Sequence, residues 1–93
     1  MIKIEGNDIW RAGEKIGWIE GSHIRAHDGT KLGYFDDRHV YNMNAQKIAY
    51  IEEDHLVSEG SHEGRILLEK VNEAVAGGVL SEIGKCAIYV LLD

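Results

Sequence analysis

Proline is absent from this 93-residue chain, cysteine and phenylalanine occur once each, and 10 basic residues stand against 16 acidic ones. Each shortage excludes something. Without proline there is no polyproline spacer or proline-rich linker, which fits a compact body of strands and turns. A lone Cys86 cannot close an intramolecular disulfide, so no such staple holds the fold. The net charge of −6 disfavours nucleic acid and anionic membranes as partners, because phosphate recognition needs clustered Lys and Arg. The apolar run Ala87 to Leu92 is far shorter than the roughly 20 residues of a bilayer-spanning helix. No basic-then-apolar leader opens the chain at Met1-Ile2-Lys3-Ile4, and a cytoplasmic protein is expected. The chain also lacks a phosphate-binding Gly-rich loop, a dinucleotide-binding Gly-x-Gly-x-x-Gly and a Gly-x-Ser-x-Gly nucleophile elbow. Nothing in it marks a catalytic residue or a cofactor, and the expected protein is not an enzyme.

What the chain has is repetition. The blocks Lys15-Ile16-Gly17-Trp18-Ile19-Glu20, Lys31-Leu32-Gly33-Tyr34-Phe35-Asp36 and Lys47-Ile48-Ala49-Tyr50-Ile51-Glu52 begin 16 residues apart. Between them His23-Ile24, His39-Val40 and His55-Leu56 keep the same interval, as do Gly29 and Ala45. Gly13 joins that series once one residue is deleted from the first copy. A unit this short cannot bury its own apolar face and must pack on its neighbours. Each reads as strand, tight turn, strand, with Asp28-Gly29 predicting a two-residue type I′ hairpin turn and Asn44-Ala45 a weaker version of it.

Both chain ends extend the count. Ile4 and Glu5 align with Ile19 and Glu20, so the chain opens on the second strand of a unit, and His55-Leu56-Val57-Ser58 supplies a first strand. Four first strands (near Ile9, Ile24, Val40 and Leu56) and four second strands (near Ile4, Ile16, Leu32 and Ile48) predict a closed ring. In it the N-terminal strand pairs near Leu56, which removes free edges. The blocks and the Asp-Gly turn resemble the bacterial four-fold β-flower domain over roughly Met1 to Gly60. That resemblance implies a pseudo-four-fold axis and carries no known activity. The expected architecture is mainly β, α+β in total: a ring over residues 1–60, and a C-terminal part, 61–93, packed on it within a single domain.

The C-terminal part has a different period. Leu67, Leu68, Val71, Ala74 and Val75 recur at helical spacing, which predicts an amphipathic helix from Ser61 or Glu63 to Ala76, stopped by Gly77-Gly78. The following segment fits both periods: Val79, Leu80, Ile83, Ala87, Val90 and Leu91 suit a helix, whereas the bounded Ala87–Leu92 run and Gly84 favour a buried strand, the reading preferred here. This apolar surface is more than a lid on the ring needs. It predicts a homo-oligomer or protein contact through Leu67, Val71 and Val75, compatible with a lid role.

Three side-chain series invite a chemical reading. His23, His39 and His55 occupy equivalent places, so symmetry can gather imidazoles into a metal shell such as that of zinc. Alternation against Ile24, Val40 and Leu56 instead puts them on the wetter face. Trp18, Tyr34 and Tyr50 are in register, either as core or as the lining of a small-ligand or peptide pocket. The acids Glu5, Glu20, Asp36, Asp37, Glu52, Glu53 and Asp54 mark the junctions and read as solvated turns with Lys15, Lys31 and Lys47 as cross-strand partners. Cys86 followed by apolar residues reads as an inert buried thiol. The expectation is a non-enzymatic protein-binding or self-assembly module, with a histidine metal site and an aromatic ligand site as alternatives.

Overall fold

A computed structural model describes residues 1–59, 64–78 and 80–92. All eight strands of the repeat are present: β1 (Ile2–Glu5), β2 (Asp8–Arg11), β3 (Glu14–Glu20), β4 (His23–Ala26), β5 (Lys31–Phe35), β6 (His39–Asn42), β7 (Lys47–Glu52) and β8 (His55–Ser58). Each pairs antiparallel with the next. Their alternation is two-sided: Ile2, Ile4, Ile9, Ile19, Ile24, Val40, Ala49 and Leu56 are buried on one face, and the intervening Lys, His and aromatic residues lie on the other.

The repeat extends to backbone irregularities. Register slips by one residue opposite Ile9/Trp10, Ile24/Arg25 and Val40/Tyr41, so that Ile16, Leu32 and Ile48 are bulged. A bulge puts two residues against one and bends the strand. It brings Ile16, Leu32 and Ile48 against the core beside Gly17, Gly33 and Ala49. The small neighbours are required: a Cβ on Gly17 or Gly33 would run into the carbonyl oxygen of Arg25 or Tyr41 respectively.

The turns differ from the expected type. Gly29 N–H donates to Ala26 O (2.9 Å) and Ala26 N–H to Thr30 O (2.8 Å), while Gly29 has φ 91° and Asp28 stays at negative φ. This is a three-residue loop, a type I turn closed by a left-handed residue, and 43–45 repeats it with Ala45 at φ 62°. The type I′ turn occurs instead at Ala12-Gly13 (φ 52° and 81°), where the first copy is one residue shorter. The deletion in the sequence is the change of turn type.

The ring does not close as expected. β1 does not pair near Leu56; its free edge is taken by β10 (Val75–Gly77), in parallel, and the edge of β8 by β9 (Gly64–Leu67), giving one ten-stranded sheet in the order β10-β1-β2-β3-β4-β5-β6-β7-β8-β9. The helix expected up to Ala76 is therefore only α1 (Leu68–Ala74), flanked by two strands; its proposed start at Ser61 or Glu63 lies outside the described residues. Exposed edge groups of β1 and β8 demand backbone partners, and residues 64–67 and 75–77 supply them at the expense of helix. α1 packs against both β9 and β10, so a helix lies between the two terminal strands, with Leu68 and Val71 inward and Glu69, Lys70, Asn72 and Glu73 exposed.

The final segment is a helix, α2 (Glu82–Leu92), not a strand. It packs on α1, β4, β5, β6, β7 and β10, and Cys86, Ala87 and Ile88 are fully buried. Because this segment lies across the middle strands of the sheet and not alongside an edge, it finds no strand partner in the apolar interior and satisfies its backbone within itself, which a helix does. Gly84 does not break it, and glycine lets Leu80 pack close there: a Cβ would meet the end of the Leu80 side chain, which would have to turn aside. At the other end Arg11 donates to Leu92 O (2.7 Å), placing a cation at the negative helix terminus.

Candidate functional site

Cross-strand register arranges the outward side chains in three oblique rows. The first is Asp8, Trp18, Arg25, Lys31. The second is His23, Tyr34, Tyr41, Lys47. The third is His39, Tyr50, Val57, Arg65. Each runs from an acid or imidazole, through an aromatic ring, to a cation; the 16-residue repeat and its bulge set the first two rows, and the third reaches Arg65 through the unbulged pairing of β8 with β9.

A fourth row begins with His55 opposite Leu67. Leu67 thereby occupies the place of Trp18, Tyr34 and Tyr50, and Arg65-Ile66-Leu67-Leu68-Glu69 is a worn copy of the Lys-Ile-Gly-Trp-Ile-Glu block without its bulged residue. The backbone confirms the equivalence. Ile19 N–H donates to Asn7 O, Phe35 to Ser22 O, Ile51 to Arg38 O, and Leu68 to Asp54 O, at 2.8 to 3.1 Å. The spacing of this copy from its predecessor is not 16, which hid it from a fixed-period reading.

Of the expected interface residues, Leu67 is 40% exposed, whereas Val71 (1%) and Val75 (0%) are core. The apolar tail is therefore the interior of this fold, and Val71 and Val75 offer no surface. Trp18, Tyr34 and Tyr50 are neither core nor the lining of a central pocket; they are half-buried on the outward face.

The three histidines sit on alternate strands, β4, β6 and β8, so successive ones are separated by at least about 9–10 Å of strand spacing. Ligands of one zinc ion lie about 2 Å from it, so these imidazoles do not converge, and among the described residues no group of three His, Cys, Asp or Glu side chains is placed to hold a metal. Each histidine finds a local neighbour instead. His23 packs on Tyr34 (5.4 Å between ring centres), and His39 on Tyr50 (6.3 Å) and Tyr41 (6.2 Å). His55 Nδ1 lies 2.7 Å from Asp54 Oδ1, but off the axis of a ring N–H, so the contact is an ion pair for the imidazolium and no hydrogen bond.

The second row holds the densest constellation. Tyr34 and Tyr41 stack at 4.8 Å with ring planes 11° apart. With the histidine contacts this makes an unbroken path of five rings, His23, Tyr34, Tyr41, His39, Tyr50. Tyr41 was not in the periodic aromatic series, since its equivalents are Arg25 and Val57; only strand pairing reveals it as part of the row. Tyr41 Oη donates to Asp36 Oδ2 (2.7 Å), and the N–H groups of Arg38 and His39 donate to Asp36 Oδ1 (2.9 and 2.7 Å). The Tyr41 hydroxyl first, and then those N–H groups, pull the Asp36 carboxyl down to about 2, and the same bond raises the Tyr41 hydroxyl. Asp36 is thus a fixed carboxylate at the end of an aromatic path, with its side chain still 49% exposed.

Comparison with known proteins finds no matching family model, no similar curated protein and no similar solved structure. The geometry has to carry the functional reading. No helix among the described residues is long and apolar enough to cross a membrane.

Proposed function

We propose that this protein is a non-enzymatic binding module that receives a protein partner on the outward face of its sheet, along the path from His23 to Tyr50. The observation that carries the reading is the stacked, half-exposed Tyr34–Tyr41 pair, on the face opposite a core already filled by α2. Two tyrosines on neighbouring strands add little to a core they do not touch. Aromatic side chains with a polar tip are the residues that interfaces concentrate, because they give large contact area for little lost conformational freedom. A role for the C-terminal segment as the contact is given up, except at Leu67, which extends the same face. The resemblance to the four-fold β-flower domain stays part of this proposal, supported by four hairpin units of the expected size but without the expected closure of the first strand on Leu56.

Photo-crosslinking tests it. A benzoylphenylalanine placed at Tyr34 in the native host is expected to give one discrete adduct, while the same probe at exposed Lys70 on α1 gives none. Absence of any adduct at positions 34, 41 and 50, in a chain that remains folded, overturns the reading.

A further inference from the structure

The three repeats treat one carboxylate differently, and the difference names a ligand. Glu20, Asp36 and Glu52 end the three blocks and are equivalent. Glu20 is gripped by Arg25, through Nε at 3.0 Å and a terminal nitrogen at 2.9 Å. Glu52 is held by Arg65 at 2.8 Å. Asp36 has no Arg or Lys partner among the described residues; the one basic side chain within ion-pair range there is the imidazole of His39, whose Nδ1 is 3.6 Å away. Arg38 meets Asp36 through its backbone N–H, and Lys47, although in register with Tyr41, forms no ion pair with it. In the position of Arg25 the second row has Tyr41, whose ring stacks on Tyr34.

We infer that Asp36, with the adjoining rings of Tyr34 and Tyr41, receives the guanidinium of an arginine on a partner peptide. The inference rests on the binding-face reading above and adds the chemistry of the partner. Two of the three repeats bring an arginine of this chain onto the equivalent acid, Arg25 from the adjacent strand and Arg65 from the strand beyond it, so the acid is open to a guanidinium from more than one direction. Guanidinium is planar, pairs with carboxylate and lies flat on aromatic rings, which a lysine ammonium does less well. The first repeat also shows a cation over the equivalent ring, with Lys15 Nζ 5.4 Å from the centre of Trp18. The carboxylate is held ionised by its hydrogen bonds and needs no partner to become charged. The net charge of −6 favours the approach of a cationic segment.

The test is a nuclear magnetic resonance titration of the full chain with tri-arginine, tri-lysine, tri-glutamate and an uncharged Gly-Ser peptide, read at the amides and rings of residues 34–41. Tri-arginine is expected to give saturable shifts centred on Tyr34, Asp36 and Tyr41, tighter than tri-lysine, with no saturable response to the other two. D36N is expected to weaken tri-arginine binding at least tenfold, and E53Q, an acid on a neighbouring turn, to change it less than twofold. Tyr41→Arg, which installs the arginine of the first repeat, is expected to abolish binding while the chain stays folded by its amide spectrum. Equal losses in D36N and E53Q, or shifts spread over all the acidic turns, would overturn the inference as unspecific charge attraction. Saturable binding of tri-glutamate or Gly-Ser at these rings overturns the arginine assignment but leaves the binding face standing. No response to any peptide overturns the assignment, and the crosslinking result then decides the face separately. A dimer in light scattering that D36N dissolves would make a second copy the occupant and equally overturn a partner peptide.

Discussion

Adding one methyl group at Gly33 tests whether α2 lies where the core requires. Gly33 has an ordinary backbone, so alanine is conformationally allowed. The added Cβ would meet the carbonyl oxygen of Tyr41, and would approach the two methyl carbons of Leu91 at 2.9 and 3.1 Å. The Tyr41 carbonyl belongs to the adjacent strand β6, whose ladder holds it, whereas the Leu91 side chain can rotate. Overpacking of a core costs about 1–3 kcal/mol. Replacing glycine returns about 0.4–1 kcal/mol by reducing the freedom of the unfolded chain. The balance is a loss of about 1–2 kcal/mol, and at about 4–8 °C per kcal/mol for a domain of this size the melting temperature falls by roughly 4–16 °C. Urea and thermal unfolding, followed by circular dichroism, measure it. Leu91→Ala by itself destabilises, but in the Gly33→Ala background its cost is expected to shrink, since it removes the two methyl groups that crowd the new Cβ. A double-mutant cycle with coupling of about 0.5 kcal/mol or more registers this. A Gly33→Ala chain as stable as the parent, with no coupling to Leu91, would refute the placement of α2 on β5. Ala49 is the internal reference: the third repeat holds that methyl group and buries it to 2% exposure.

Three further outcomes follow from the turns and the core. Ala45 sits at φ 62°, where an L-residue pays about 1–2 kcal/mol, partly offset by the about 0.4–1 kcal/mol cost of a freer unfolded glycine. Ala45→Gly, which copies Gly29, is thus expected to stabilise by roughly 0.5–1 kcal/mol, and a lower midpoint in urea would contradict it. Burial first, and Glu82 second, push the Cys86 thiol up to about 12, so alkylation at pH 8 should proceed only at the rate of unfolding. Because the folded chain holds that proton more tightly than the unfolded one, stability is complete below the unfolded thiol pKa of about 8.5 and declines as pH rises from there towards 12. Cys86→Ala should flatten that alkaline decline; an unchanged slope would show that other groups cause it.

The eight strands of the repeat were legible because alternation and a 16-residue period are local properties, written in residues that meet their partners across short turns. The same periodicity placed Trp18, Tyr34 and Tyr50 at equivalent positions and put the histidines on the wetter face. It could not place Tyr41 beside Tyr34, since the two are aligned by pairing of β5 with β6 and not by the repeat. Nor could it show that the third histidine faces Leu67, because the fifth second strand lies off the fixed interval. The turn type at Asp28-Gly29 was missed by one residue, although the deletion at Gly13 contained the information.

The sequence by itself determined the repeating hairpins, the two-faced strands and the register of the aromatic and histidine series. The tertiary structure decided the fate of the last third. Residues 64–77 have helical spacing, yet the unpaired edges of β1 and β8 draw their two ends into strands and leave seven helical residues between. Residues 82–92 satisfy both periods, and the core resolves the ambiguity: across the face of the middle strands, away from any sheet edge, only a helix carries its own hydrogen bonds into an apolar interior. Local pattern sets what a segment can become, and competition for backbone partners across the whole sheet sets what it does become.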